Sequence, residues 1–157
     1  MFSLIACIGK NRELGKNGQL IFHLKNDMKF FRETTTGHKI LMGRRTWESL
    51  PGKLPNRKNF VLSPDPVPDA DQSINNLSKF ITDNKDTDEE IFIIGGGMVY
   101  SELIKHAKYL YLTEINAIDP TADTFFPDFD KSNYEQILIT KGTENGLDYT
   151  ISKYTLK

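Results

Sequence analysis

The chain has 157 residues, enough for one domain with a substantial core. Its 20 Lys plus Arg stand against 21 Asp plus Glu, a formal net charge of −1, which argues against a general nucleic-acid or membrane binder. The single cysteine, Cys7, excludes a disulfide framework or a thiolate metal site and points to a reducing, cytoplasmic setting.

Residues 2–8 form a near-continuous apolar run and predict a buried strand of the parallel type. The run is too short for a signal peptide and has no basic region ahead of it, and no later run approaches transmembrane length. Residues 9–23 carry Gly9, Gly15 and Gly18 among Asn and Lys and predict a loop. A loop that long in a compact domain is usually functional. In residues 24–35 the apolar positions Leu24, Met28 and Phe31 have helical spacing. Residues 39–42 predict a strand and residues 44–50 a short helix, broken by Pro51, Gly52 and Pro55. A third strand is expected over 59–63, then a stiff surface connection at Pro64, Pro66 and Pro68.

A helix over 77–84 puts Leu77, Phe80 and Ile81 on one side. Residues 91–94 read as a strand, 98–106 as a helix and 109–115 as another strand. After a polar loop at 116–123, two last strands, 134–140 and 149–156, flank Glu144-Asn145-Gly146, where Asn-Gly favours a hairpin. This alternation predicts an α/β fold: a single domain over residues 1–157, a mostly parallel central sheet with an antiparallel C-terminal strand, and helices on both faces. Ligands of such sheets bind beyond the carboxyl ends of the strands.

Two motifs sit at such ends. Gly95-Gly96-Gly97 follows one strand and opens a helix, so three successive residues lack a Cβ and another molecule can lie against bare backbone. The N–H groups of a helix start favour an anion such as a phosphate. Gly43-Arg44-Arg45-Thr46 repeats the design with two guanidinium groups, and Ser63 ends the next strand. Arginine rather than an acidic residue favours the 2′-phosphate of NADP. Neither motif is Gly-x-Gly-x-x-Gly; a plain tight turn and a solvated basic turn are the bland readings.

Asp27 shares the helical face of Leu24 and Phe31. A carboxylate on that apolar face is desolvated and gains proton affinity, which suits binding a cationic or amide-like group or assisting proton transfer. The competing reading is a helix-start carboxylate bonded to backbone N–H groups. Arg57, in Leu54-Pro55-Asn56-Arg57-Lys58, is ambiguous alone, as is Thr113 inside a strand. Cys7 reads as a small core residue. His23, His38 and His106 show no metal spacing, so no metal is expected, and no Gly-x-Ser-x-Gly or Walker lysine motif is present.

Taken together, these residues resemble dihydrofolate reductase of the bacterial type. The resemblance runs from Ser3-Leu4-Ile5-Ala6 almost to the C-terminus. It is carried by Asp27 in Leu24-Lys25-Asn26-Asp27-Met28, by Met42-Gly43-Arg44-Arg45-Thr46-Trp47-Glu48-Ser49 and by Leu54-Pro55-Asn56-Arg57-Lys58-Asn59. Ile93-Ile94-Gly95-Gly96-Gly97-Met98-Val99-Tyr100, Tyr111-Leu112-Thr113 and Asp123-Thr124-Phe125-Phe126-Pro127 complete it.

The resemblance implies NADPH-dependent reduction of 7,8-dihydrofolate to tetrahydrofolate by a cytoplasmic monomer with no nucleic-acid or membrane partner. Asp27, Phe22, Tyr100 and Thr113 would form the catalytic group, Asp27 promoting protonation of pterin N5 through water and Thr113 supporting its carboxylate. Ile5, Met28, Phe31, Leu50, Leu54 and Ile94 would wall the substrate pocket, and Arg57 would hold the α-carboxylate of the glutamate tail. Arg44, Arg45, Thr46 and Ser63 would hold the adenosine phosphates, and Gly96, Gly97, Met98, Val99 and Tyr100 the pyrophosphate and nicotinamide side. Ala6, Cys7, Leu14, Gly15, Gly18, Leu20, Gly43, Leu62 and Pro64 complete the expected cofactor contacts, with loop 9–23 closing over the nicotinamide.

Two positions depart from the pattern. The family usually has Pro-Trp where this chain has Ile21-Phe22, and Phe22 lacks the indole donor that commonly orders a water. Pro64 replaces a frequent hydroxyl residue. Alternative readings are the related NADPH-dependent reductase of riboflavin synthesis and a ligand-binding module without catalysis; Asp27 and Arg57 favour folate.

Overall fold

A computed structural model describes residues 1–157. In chain order its elements are β1 (Phe2–Ile8), β2 (Glu13–Lys16), β3 (Gln19–Leu20), α1 (Lys25–Thr35), β4 (Lys39–Gly43), α2 (Arg44–Ser49), β5 (Lys58–Leu62) and β6 (Gln72–Ile74). There follow α3 (Leu77–Asn84), β7 (Ile91–Gly95), α4 (Gly97–Leu103), β8 (Ala107–Ile115), β9 (Thr124–Phe125), β10 (Tyr134–Glu144) and β11 (Leu147–Leu156).

β1 organises the molecule. It is buried along its whole length, because both faces of its sheet are covered. Its side chains alternate between two cores: Phe2, Leu4, Ala6 and Ile8 join one, and Ile5 joins the other. The first core takes in Leu77, Phe80 and Ile81 of α3 and Val99, Tyr100 and Leu103 of α4. The second takes in Phe30 and Phe31 of α1 and Trp47 of α2. Helices therefore cover both faces, as expected.

The main sheet has eight strands in the order β10-β11-β8-β1-β7-β4-β5-β6. Neighbours from β8 to β6 are parallel, and β11 lies antiparallel between β8 and β10. Asn145 and Gly146 close the β10–β11 hairpin with φ of 54° and 77°, the left-handed pair that a two-residue turn of this hand requires.

Four strands were not expected. Residues 9–23 are not a structureless loop: β2 and β3 pair as a hairpin, and β9 adds to β2 to make a second, three-stranded sheet. Its tip, Asn17-Gly18, has φ of 52° and 77°, the same turn chemistry as Asn145-Gly146. β6 follows the prolines. Each of these strands is two to four residues long, too short for a periodicity to show. The helix expected over 98–106 starts at Gly97, and its end tightens into a 3₁₀ turn over Ile104–His106.

Candidate active site

The two glycine motifs, about fifty residues apart in sequence, meet because β4 and β7 are neighbours in the sheet. A Cβ on Gly43 would stand 3.2 Å from Val99 Cγ2 and 3.7 Å from the Gly96 nitrogen. A Cβ on Gly95 would stand 3.0 Å from Thr46 Oγ1, and Gly95 has a φ of +143° that other residues rarely adopt. The missing Cβ atoms let the two motifs pack closely, with Val99 against Gly43 and the Thr46 hydroxyl against Gly95 and Gly96. Gly43 and Gly96 are the N-caps of α2 and α4, and neither start carries a side-chain cap. Their first N–H groups are thus free to face an anion.

The arginines do not act as a pair. Arg44 donates from Nη1 to Ser63 Oγ at 3.1 Å and from Nε to Glu48 Oε1 at 3.0 Å. Arg45 turns to the β2–β3 hairpin, where its Nη2 lies 3.9 Å from the position of a Cβ on Gly18. Leu14 and Gly15, in β2 of that hairpin, are buried, whereas Leu20 is 56% and Met98 65% exposed. Leu62 packs against the first core and Pro64 is exposed. Two neighbouring helix starts without side-chain caps, with the Arg44–Ser63 pair beside the first, fit a phosphate-bearing dinucleotide.

Asp27 lies in the first turn of α1 but does not cap it. The N–H groups of Lys25 and Asn26 donate to the Glu144 carboxylate, at 2.5 and 3.0 Å. Glu144 reaches them from the end of β10, and Asn26 Nδ2 donates to the Tyr149 hydroxyl at 2.9 Å. Asp27 is free of that work. It accepts a 2.6 Å bond from Thr113 Oγ1 on β8 and has no ion-pair partner. Burial raises its pKa above the ordinary carboxylate value; the Thr113 and Cys7 side chains pull it back, and the Glu144 charge adds to the rise. This decides between the two sequence readings of Asp27 against the capping role.

Ile5, Phe31, Leu50, Leu54 and Ile94 gather in the second core, Ile5 buried and the other four partly open. Met28, expected on the inward face with them, is 58% exposed and outside that cluster. Its neighbour Asp27 takes the inward direction instead. Beyond Phe31, Arg57 donates to Thr35 Oγ1 at 3.1 Å and to the Pro55 carbonyl at 3.0 Å, with its guanidinium 5.9 Å from the Phe31 ring. Two of its five N–H groups are used, and the remainder can meet a carboxylate. Tyr100 is buried and donates its hydroxyl to the Ile5 carbonyl at 2.7 Å. Burial pushes its pKa up, so it stays protonated. Phe22 is partly buried against the cluster formed by Cys7, Leu24, Ile115, Tyr149 and Ile151.

Three supporting residues escaped the sequence reading. Glu144 caps α1, as described. Asn59 is fully buried and bonds the Leu54 N–H and carbonyl and the Arg57 carbonyl, all at 2.9 Å, which shapes the turn that presents Arg57. Glu13, 1% exposed, accepts from the N–H groups of Asn11 and Asp119 at 2.7 Å and ties the β2–β3 segment to the loop after β8. Only the Asn59-Leu54 spacing was local enough to suggest itself. No group of three or more His, Cys, Asp or Glu is placed to hold a metal ion, and no helix is long and apolar enough to cross a membrane.

Two uncapped helix starts at glycines, with a partly buried carboxylate that has no cationic partner, suit an α/β enzyme that brings two small molecules together. Comparison with known proteins gives the particular kind. A family profile described as dihydrofolate reductase matches residues 1–156. The dihydrofolate reductase of Bacillus subtilis (strain 168) is 39% identical over 163 aligned positions, covering 100% of this chain and 95% of that protein. That of Buchnera aphidicola subsp. Acyrthosiphon pisum (strain APS) is 38% identical, covering 93% and 91%. Among solved structures, the dihydrofolate reductase of Enterococcus faecalis complexed with NADP(H) and RAB-propyl superposes with a TM-score of 0.88 at 29% identity, covering 100% of this chain and 96% of that one. The chain belongs to the dihydrofolate reductase family.

Proposed function

We propose that this protein reduces 7,8-dihydrofolate to 5,6,7,8-tetrahydrofolate with NADPH. The observation that carries the reading is Asp27: a partly buried, desolvated carboxylate without a cationic partner, held by one hydroxyl, on the helix that also carries Phe31 of the apolar wall. Such a group seeks N–H donors, and the edge of a pterin, with its 2-amino group and ring nitrogen, offers them. When bound, NADPH supplies the hydride delivered to pterin C6.

The chain's own residues do the rest. Asp27 fixes the pterin edge, and its raised proton affinity assists protonation of N5 through water. Thr113 keeps the carboxylate in place. Tyr100 ties the β1 backbone at Ile5, which places that side chain in the wall. Ile5, Phe31, Leu50, Leu54 and Ile94 exclude water, with Met28 at the open edge. Arg57 holds the α-carboxylate of the glutamate tail, stacked near Phe31.

On the cofactor side, Arg44 with Ser63 reads the 2′-phosphate, while Gly43, Thr46 and Gly95 to Gly97 receive the pyrophosphate. Arg45 and Gly18 join the hairpin to this site. We also infer a monomer that works in the cytoplasm on small molecules, without nucleic-acid or membrane partners; the net charge of −1 supports this.

The test is absorbance of NADPH in the presence of purified protein. Oxidation that depends on added dihydrofolate, in equal amounts, is expected. Oxidation only with the aminopyrimidine phosphoribosyl substrate of riboflavin synthesis, or binding of both ligands without oxidation, would overturn the reading.

A further inference from the structure

Arg57 sits on a turn that a single distant carboxylate anchors at both ends. Asp71, just ahead of β6, accepts from Lys53 Nζ at 2.5 Å through Oδ1 and from the Asn59 N–H at 2.7 Å through Oδ2. Its own N–H donates to the Asn59 carbonyl at 3.0 Å. Lys53 opens the turn and Asn59 closes it, and the buried Asn59 side chain bonds Leu54 twice and the Arg57 carbonyl once. We propose that Asp71 is a positioning residue for substrate recognition: by fixing Asn59, and more weakly Lys53, it sets the geometry in which Arg57 meets the carboxylate of the glutamate tail.

The role follows from the sheet. Along β5, successive backbone N–H groups point to opposite neighbours. The Lys58 N–H goes to the His38 carbonyl at 3.3 Å, on the β4 side. The Asn59 N–H therefore faces β6, whose pairing with β5 begins one residue later, at Phe60 and Gln72. The Asp71 carboxylate supplies the acceptor that the strand does not yet offer, and a buried N–H left without one is costly. A shift of Asn59 carries Leu54 and Arg57 with it, because its side chain bonds both. The Lys53 arm is the weaker one: its side chain is 47% exposed, and surface ion pairs contribute little. Bonding to Lys53, and then to the Asn59 N–H, holds the Asp71 carboxyl below the ordinary carboxylate range, so it is charged near neutral pH. The end of α1 holds the turn from the other side, through the Gly37 N–H on the Asn56 carbonyl at 2.8 Å and Arg57 on Thr35. That anchor grips the Arg57 side chain, whereas Asp71 governs the backbone from which it hangs.

The proposal rests on Arg57 holding the glutamate tail, and it is tested with turnover and without it. In Asp71→Ala the KM for dihydrofolate should rise by about two- to tenfold, the range that one hydrogen bond spans, with kcat unchanged. A pterin without the glutamate tail should keep its native KM. Asp71→Asn keeps an acceptor for the Asn59 N–H and loses only the charge, so its KM should return to within about twofold of the native value. In the ligand-free protein, nitrogen NMR of the arginine side chains reports Arg57 directly; its Nε–H signal is the one lost in Arg57→Lys. That signal should move in Asp71→Ala and return in Asp71→Asn. Equal impairment of both substrates in Asp71→Ala, no rescue by Asn, or an unmoved Arg57 signal would overturn the proposal. If the signal moves as expected while the KM for dihydrofolate stays native, Asp71 does position Arg57, and the assignment of Arg57 to the tail falls instead.

Discussion

Arg44 gives a prediction with two opposite signs. Its guanidinium is divided between Ser63 Oγ at 3.1 Å and Glu48 at 3.0 Å, the latter an exposed pair one helical turn away. If Arg44 and Ser63 read the 2′-phosphate of NADPH, Arg44→Ala removes a charge-assisted hydrogen bond worth about 1.5–3 kcal/mol. The side chain is 44% exposed, so solvent screening favours the lower figure, about tenfold in Kd. NADH, which lacks that phosphate, should lose little. Glu48→Ala does the reverse. It frees the guanidinium from an i,i+4 pair worth about 0.3–0.5 kcal/mol, so NADPH should bind about twofold tighter. Arg45, turned toward Gly18, should affect both cofactors alike when replaced by Ala. Quenching of Trp47, the only tryptophan and a member of the same short helix, reports each Kd directly. Equal losses of NADPH and NADH in Arg44→Ala would refute the assignment.

Three further substitutions test the same geometry. Asp27→Asn should slow the reaction at neutral pH by about 10²–10⁴ and recover in acid, where solvent supplies the proton. The same change should stabilise the fold. The pKa of Asp27 is raised, so the folded state gives up that proton less readily than the unfolded chain, and stability is lost as pH rises from the ordinary value of 3.8 through the folded one. Thermal melts of the Asn variant should therefore lie above native ones near pH 7 and converge with them in acid below the ordinary value; a lower melt at pH 7 would contradict the burial argument.

Arg57→Lys keeps the charge and loses the fork, so the KM for dihydrofolate should rise while a pterin without the glutamate tail is unaffected. Equal impairment of both substrates would mean that the bonds to Thr35 and Pro55, not the tail, are what matters. Phe22→Trp introduces an indole donor next to the cluster of Cys7 and Leu24; if that donor serves the Asp27 carboxylate, single-turnover hydride transfer should rise by about tenfold or less, or hold its rate to higher pH. An unchanged rate and profile would make Phe22 a packing residue only.

The sequence was most legible where local signals agreed. β1 and α3 have the bounds that their patterns predict, α3 because Asn76 caps it through Lys79 and one face is apolar. The hairpin at Asn17-Gly18 was open to the same reasoning as that at Asn145-Gly146, but its strands are too short to draw notice. The division of Arg44 from Arg45 follows from the roughly 100° between successive helical residues and needed only the helix to be taken seriously. By contrast, the capping of α1 by Glu144 joins residues 118 and 119 positions apart, and no local pattern announces it. That contact is what decides between the two readings of Asp27. The wall formed by Ile5, Phe31, Leu50, Leu54 and Ile94 was named from the family resemblance; apolar spacing alone would not have separated it from ordinary core.

The central claim is direct hydride transfer to dihydrofolate at a site built around Asp27. It is tested by a single turnover with NADPH deuterated at the transferable C4 position, followed by mass analysis of the folate product. Tetrahydrofolate carrying one deuterium at C6, formed by the native protein and much more slowly by Asp27→Asn at neutral pH, is the predicted result. Product without deuterium, or equal rates for the two proteins, would contradict it.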